Sequence, residues 1–384
     1  MKKKLLVIFI LSICFGLVCY AQDSDSVKSH HYFQFNGQLS GWGNITPDIN
    51  TKGWIGTRYI PQINYGYHLK DNQLIDFEGS ANLYGELGIV SLNNISVDAK
   101  IKPYRLWTRF SNTQNEFRIG LQKINFGSAL MFRPLMWFDK MDPRDPLQMT
   151  DGVWAMLYRH YFSNNANIWL WTLGGNKDTK GWELFKTSGN FQPEIGGRFQ
   201  IPSPKGESAF SYHYRMADIS NLMMPVSQVK EHKFGLDIRT DIIVGLWMES
   251  TWTYHNRDIG LLTNQNMITV GTDYTFPVEN GIGITAEHMI YSMSKKAFNF
   301  DKNSNFTGLA LNYPVTLFDN INTMIFYDWE NNHVYSFINW QKQFNNISFY
   351  LMGYWNPTSY NIPGQSNFSR FAGKGVQLMV VWNH

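Results

Sequence analysis

From residue 31 onward the chain repeats one pattern, segments of about ten residues in which apolar and polar side chains alternate between turn residues. Between Trp54 and Leu69, one set is Ile55, Thr57, Tyr59, Pro61, Ile63, Tyr65, Tyr67 and Leu69. The other is Trp54, Gly56, Arg58, Ile60, Gln62, Asn64, Gly66 and His68. A period of two places these sets on opposite faces of a strand. The same separation recurs in Ile75, Phe77, Gly79, Ala81 and Leu83 against Asp76, Glu78, Ser80 and Asn82. It returns in Phe117, Ile119 and Leu121 against Arg118, Gly120 and Gln122, and in Phe234, Leu236 and Ile238 against Lys233, Asp237 and Arg239.

About eighteen such segments fit between residue 32 and the C-terminus, with sixteen the alternative, at about 9 to 11 residues per strand. The last, Val376, Leu378, Val380, Trp382 and His384 against Gln377, Met379, Val381 and Asn383, runs to the final residue. Asn93-Asn94, Asn164-Asn165, Asn331-Asn332 and Asn345-Asn346 supply the positive-φ tolerance that tight hairpins need. Alternation alone also suits a soluble sandwich. Its apolar face, however, carries Tyr, Trp and Phe near strand ends, as interfacial girdles do.

Composition favours a wall in lipid. Aromatic residues are 16% of the chain and charged residues also 16%, where about 25% charged is ordinary. Yet mean hydropathy is −0.30, and beyond the N-terminus no apolar run is long enough for a membrane helix. Strands with one face in lipid and one in a polar interior reconcile these facts. The expected fold is all-β, a transmembrane antiparallel up-and-down β-barrel.

Residues 1–21 read as a signal peptide: Lys2, Lys3 and Lys4, an apolar stretch from Leu5 to Val18, then Cys19-Tyr20-Ala21. The stretch is too short to span a bilayer as a helix. A lipoprotein signal would instead acylate Cys19, but Val18 is not the small residue expected before such a cysteine. Both cysteines, Cys14 and Cys19, lie in this segment, so the remainder has no thiol chemistry. The segment also holds three of the 33 basic residues and no acidic one, which leaves the rest neutral against 30 carboxylates. A uniform basic field for nucleic acid is therefore excluded. Residues 22–31 read as a short periplasmic leader and 32–384 as the barrel.

One stretch, Asn125 to Gly152, breaks the rhythm. Its three prolines exclude a central strand, and its Trp, Phe, Met and Leu content argues against disorder. The strand before it, Phe117-Arg118-Ile119-Gly120-Leu121-Gln122-Lys123-Ile124-Asn125-Phe126-Gly127, resembles the R-x-G-x-Q-x-x-x-x-G pattern of Gram-negative porins, including the alginate-export and phosphate-selective types. Phe35 to Trp42 is similar to the first strand of such proteins. The resemblance implies a large porin-like barrel in the outer membrane with an inward-folded loop at residues 128–150. Arg133, Asp139, Lys140, Asp142, Arg144, Asp145 and Asp151 are then constriction candidates. The other reading is a surface loop whose charges pair with one another.

Strand parity points Arg58, Arg105, Arg109, Arg118, Gln122, Arg198, Arg215 and Arg239 inward early in the chain, and Glu249, Asp273, Glu287 and Asp328 inward later. Segregated this way they would set a field across a pore; paired, they only keep the lumen polar. Inward Trp54, Trp107, Trp247 and Tyr350 either stack on sugar rings or fill space. No H-E-x-x-H or G-x-S-x-G motif occurs and His213, His255 and His288 are scattered, so no enzyme and no cofactor is expected. The expected partners are outer-membrane lipids, the barrel-assembly machinery through the C-terminal strand, and a small hydrophilic solute. A polysaccharide-export or capsule-attachment barrel binding an acidic oligosaccharide is the alternative.

Overall fold

The computed structural model describes residues 30–48, 51–70, 72–91, 94–189, 192–358 and 371–384. The expected signal peptide lies outside these residues, as does the leader apart from His30 and His31. Eighteen strands follow one another: β1 His31–Ile45, β2 Gly53–His68, β3 Leu74–Ser91, β4 Asn94–Ser111, β5 Asn115–Gln122 and β6 Val153–Tyr161. They continue with β7 Asn167–Leu173, β8 Glu194–Ser203, β9 Gly206–Asp218, β10 Gln228–Asp241, β11 Gly245–His255 and β12 Asn264–Phe276. The last six are β13 Ile282–Ser294, β14 Asn303–Pro314, β15 Asp319–Asp328, β16 His333–Phe344, β17 Ile347–Trp355 and β18 Lys374–Asn383.

Each strand pairs antiparallel with the next, and β18 returns to β1 in the register Ser40↔Val381 and Trp42↔Met379. The sheet is a closed up-and-down barrel of eighteen strands, so among the described residues no edge strand is left without a neighbour. The count settles on eighteen rather than sixteen. His384 helps to close the ring, since its backbone exchanges hydrogen bonds with Gly37 at 2.8 and 2.9 Å. Pro103, which cannot donate to a ladder, sits where β4 shifts register against β3.

The wall is apolar outside, as the alternation predicts, but its inner face is mixed, since β12 to β17 also turn Met267, Met289, Phe306, Phe326, Phe337 and Met352 inward. Ile55, Ile101, Leu170, Phe210, Ile338 and Leu378 lie exposed on the outer face, while Ser40, Gln122, Thr269 and Asp328 are buried on the inner one. The two ends differ. At one, the connections are short, as at 112–114, 204–205, 242–244 and 345–346. Asn72, Asn165 and Asn345 take positive φ in turns there. At the other end the described residues include 123–152, 174–189 and 371–373, and the first two of these stretches position the site.

Candidate functional site

Residues 123–152 leave the short strand β5 and cross the lumen. Gly127 has φ +98°, and a Cβ there would collide with the Glu249 carboxylate of β11. The backbone beyond it meets two carboxylates six and eight strands round the ring from β5. Glu249 accepts the N–H groups of Ala129 (2.7 Å) and Leu135 (3.3 Å). Glu287 of β13 accepts those of Leu130, Met131 and Phe132 at 2.6, 2.9 and 2.7 Å, and the Trp247 indole at 3.2 Å. A loop buried in a lumen needs partners for its donors, and a buried carboxylate needs donors. Each satisfies the other.

Apolar side chains complete the docking. Phe132 packs on Phe306 and Phe326, and Phe126 with Phe138 on Trp171. Gly235 and Gly308 leave room in the wall, since a Cβ at either would press on Leu135 or on Met131 and Phe132. The segment's charges are also paired. Arg144 grips Asp142 with both fully buried, and Arg133 lies 3.6 Å from Asp139. Burial pushes the Asp139 and Asp145 carboxyls up and the Lys123 amine down. The segment thus docks on the inner wall and holds two of its own ion pairs, Arg133 with Asp139 and Arg144 with Asp142.

A second insertion, residues 174–189 after β7, was not foreseen. The Trp182 indole donates to the Arg133 carbonyl at 2.7 Å and stacks on Tyr291, joining the two insertions. Lys180 reaches Glu194 (2.9 Å), and Glu183 reaches Lys233 (2.9 Å) and Arg215 (3.3 Å). Arg215 in turn holds Glu231 at 2.6 Å. Trp182, Leu184 and Phe185 among charges in a long connection were the available signal. His213 and His255 are not scattered in space; they join this network at Glu194 (3.1 Å) and Glu231 (3.0 Å). Glu183, Glu194 and His213 bring donor atoms within 4.8 Å of one another. The Lys180 ammonium already sits against both carboxylates, which disfavours a metal ion there.

The remaining candidates all face the interior. Arg58 stands over the Trp42 and Tyr84 rings at 5.7 and 5.3 Å. Arg105 donates to the Thr150 carbonyl, Arg109 to Asp76 (2.7 Å) and Arg118 to Glu116 (3.0 Å), with Arg118 also over Trp107. Gln122 bonds the Ala155 carbonyl. Arg198 binds Asp237, and Arg239 binds Asp241 and Asp273. Asp328 accepts N–H groups of Glu330 and Asn331 in a hairpin turn, away from the others. Between the insertions and the β2–β4 wall lies a cavity of about 860 Å³, lined by Arg58, Lys102, Asp139, Lys140, Asp145 and others.

No family model and no curated protein sequence matches the chain. Solved structures do. OccK5 (OpdH) of Pseudomonas aeruginosa superposes with a TM-score of 0.59 at 10% identity, covering 91% of this chain and 97% of its own. OccAB4 of Acinetobacter baumannii gives 0.56 at 10% identity, covering 93% and 98%. Salmonella typhi OmpF, in a structure with daunomycin, gives 0.52 at 11%, covering 92% and 98%. The likeness is one of fold. It extends over nearly the whole barrel.

Proposed function

We propose that the protein is an outer-membrane channel for passive passage of small, hydrophilic, charged solutes, with residues 128–150 as its constriction. The observation that carries this reading is the docking of that segment on Glu249 and Glu287, across the lumen from the strand it leaves. The apolar outer wall supports membrane residence, and the similar folds support a porin-like architecture. Along the cavity, Arg58 and Lys102 on the barrel wall face a lining that includes Asp139, Asp142 and Asp145 of the segment. Asp139 and Asp142 pair within the segment, and the charged lining as a whole would orient dipolar or charged solutes in a narrow passage.

On this reading residues 1–21 are a cleaved signal peptide, and the terminal strand is the segment recognised during insertion. Two insertions in one lumen weigh against a conduit for polysaccharide. Planar-bilayer recording tests the proposal. Wild-type protein should give small, discrete conductance steps, and deletion of 128–150 should raise the step several-fold. An unchanged conductance would overturn the constriction; no conductance from either protein would overturn the channel.

A further inference from the structure

The outer wall carries an unusual patch at the end with long connections. Outward-facing rings of β9, β10 and β11 form two rows: Tyr212, Phe234 and Trp252 with neighbouring centroids 5.3 and 5.2 Å apart, and Tyr214, His232 and Tyr254 at 5.2 and 6.3 Å. Phe298, from the 295–302 connection, continues the first row 4.8 Å from Trp252. This connection folds over the outside of the barrel. The Ser292 hydroxyl lies 2.7 and 3.0 Å from the carbonyl oxygens of Asn299 and Lys302, and the Asn264 amide donates to the Lys295 carbonyl at 3.0 Å.

That fold brings cations to the head of the ring rows. Lys230 at the start of β10, Arg257 of the neighbouring connection, and Lys295, Lys296 and Lys302 are all exposed. The same two connections contribute only Asp258 and Asp301, and Asp258 pairs with Lys295. Apolar rings below and a net positive rim above match an amphiphile with an anionic head. A soluble polyanion would make no use of the rings.

We infer that this patch binds a phosphorylated glycolipid of the outer leaflet, its acyl chains along the rings and its sugar phosphates against Lys295, Lys296 and Lys302. The inference rests on the outer-membrane reading, because long connections of such barrels face outward and meet that leaflet. Lysines near a membrane surface each add to anionic lipid binding, and Trp and Tyr anchor at the headgroup level.

The test titrates the full chain in detergent micelles with diphosphoryl lipid A, dephosphorylated lipid A and phosphatidylglycerol, reading bound lipid by native mass spectrometry. Diphosphoryl lipid A should bind at least about tenfold more tightly than either control. Combined Lys295→Glu, Lys296→Glu and Lys302→Glu should abolish that preference, and the matching Lys→Arg substitutions should keep it. Equal binding of the three lipids, or an undiminished preference in the Glu variant, would overturn the inference. Circular dichroism establishes that the variants fold, and their planar-bilayer conductance reports separately on the channel reading.

Discussion

At the scale of single residues, the lumen is governed by carboxylates whose partners are fixed. Glu183 lies in the second insertion. Burial alone would raise its pKa, but Arg215, Lys180 and Lys233 outweigh burial and hold it below the usual carboxylate value. A carboxyl that titrates lower when folded contributes stability above its unfolded pKa and loses it as pH falls through the folded one. The 174–189 segment should therefore stay docked from neutral pH to below 4.5, the ordinary glutamate value. Glu183→Gln should cost about 3 kcal/mol at pH 7, because it leaves buried cations short of a partner. The difference from wild type should vanish at strongly acidic pH. Hydrogen exchange across residues 174–189 measures both.

At the scale of elements, the strands were legible and the insertions only partly so. Ile55, Arg58, Ile63 and Asn64 declare their faces because a two-residue period leaves no other geometry for them. The Asn125 to Gly152 stretch was visible as an irregularity, since prolines and clustered aromatics violate that period. Its anchors were not: Glu249 and Glu287 read as lumen charges, and nothing in the alternation says that they accept backbone N–H groups from a segment over a hundred residues earlier. Glu249→Ala with Glu287→Ala leaves those donors unpaired. The pair should loosen the segment, expose it to limited proteolysis and raise conductance. Gln at both sites retains an acceptor oxygen and should have a smaller effect. Equal protection in wild type and the Ala pair would show that apolar docking alone holds the loop.

At the scale of the whole molecule, the early arginines and late carboxylates do not simply face each other across an open pore. Arg109, Arg118, Arg198 and Arg215 each have a carboxylate partner nearby on the wall, at 2.5 to 3.0 Å. The interior is a mosaic of local pairs, and its field is weaker at long range than unpaired charges would give. On the proposed channel reading, selectivity would change with which member of a pair is removed. Arg105→Ala with Arg118→Ala leaves Glu116 without Arg118 as a partner and should shift the reversal potential in a salt gradient towards cations. A potential unchanged from wild type would mean that these arginines only support the wall.

The sequence by itself determined that the chain is a barrel, which face of each strand meets the core, and where one irregular segment lies. These follow from local rules: strand period, turn chemistry and proline's missing N–H. Only the tertiary structure decided the ring closure of β18 on β1, the entry of a second segment, and the pairing of Arg198 with Asp237 and Glu287 with residues 130–132. Those contacts join residues remote in sequence. Their partners are chosen by distance across the lumen, a quantity that no period along the chain encodes.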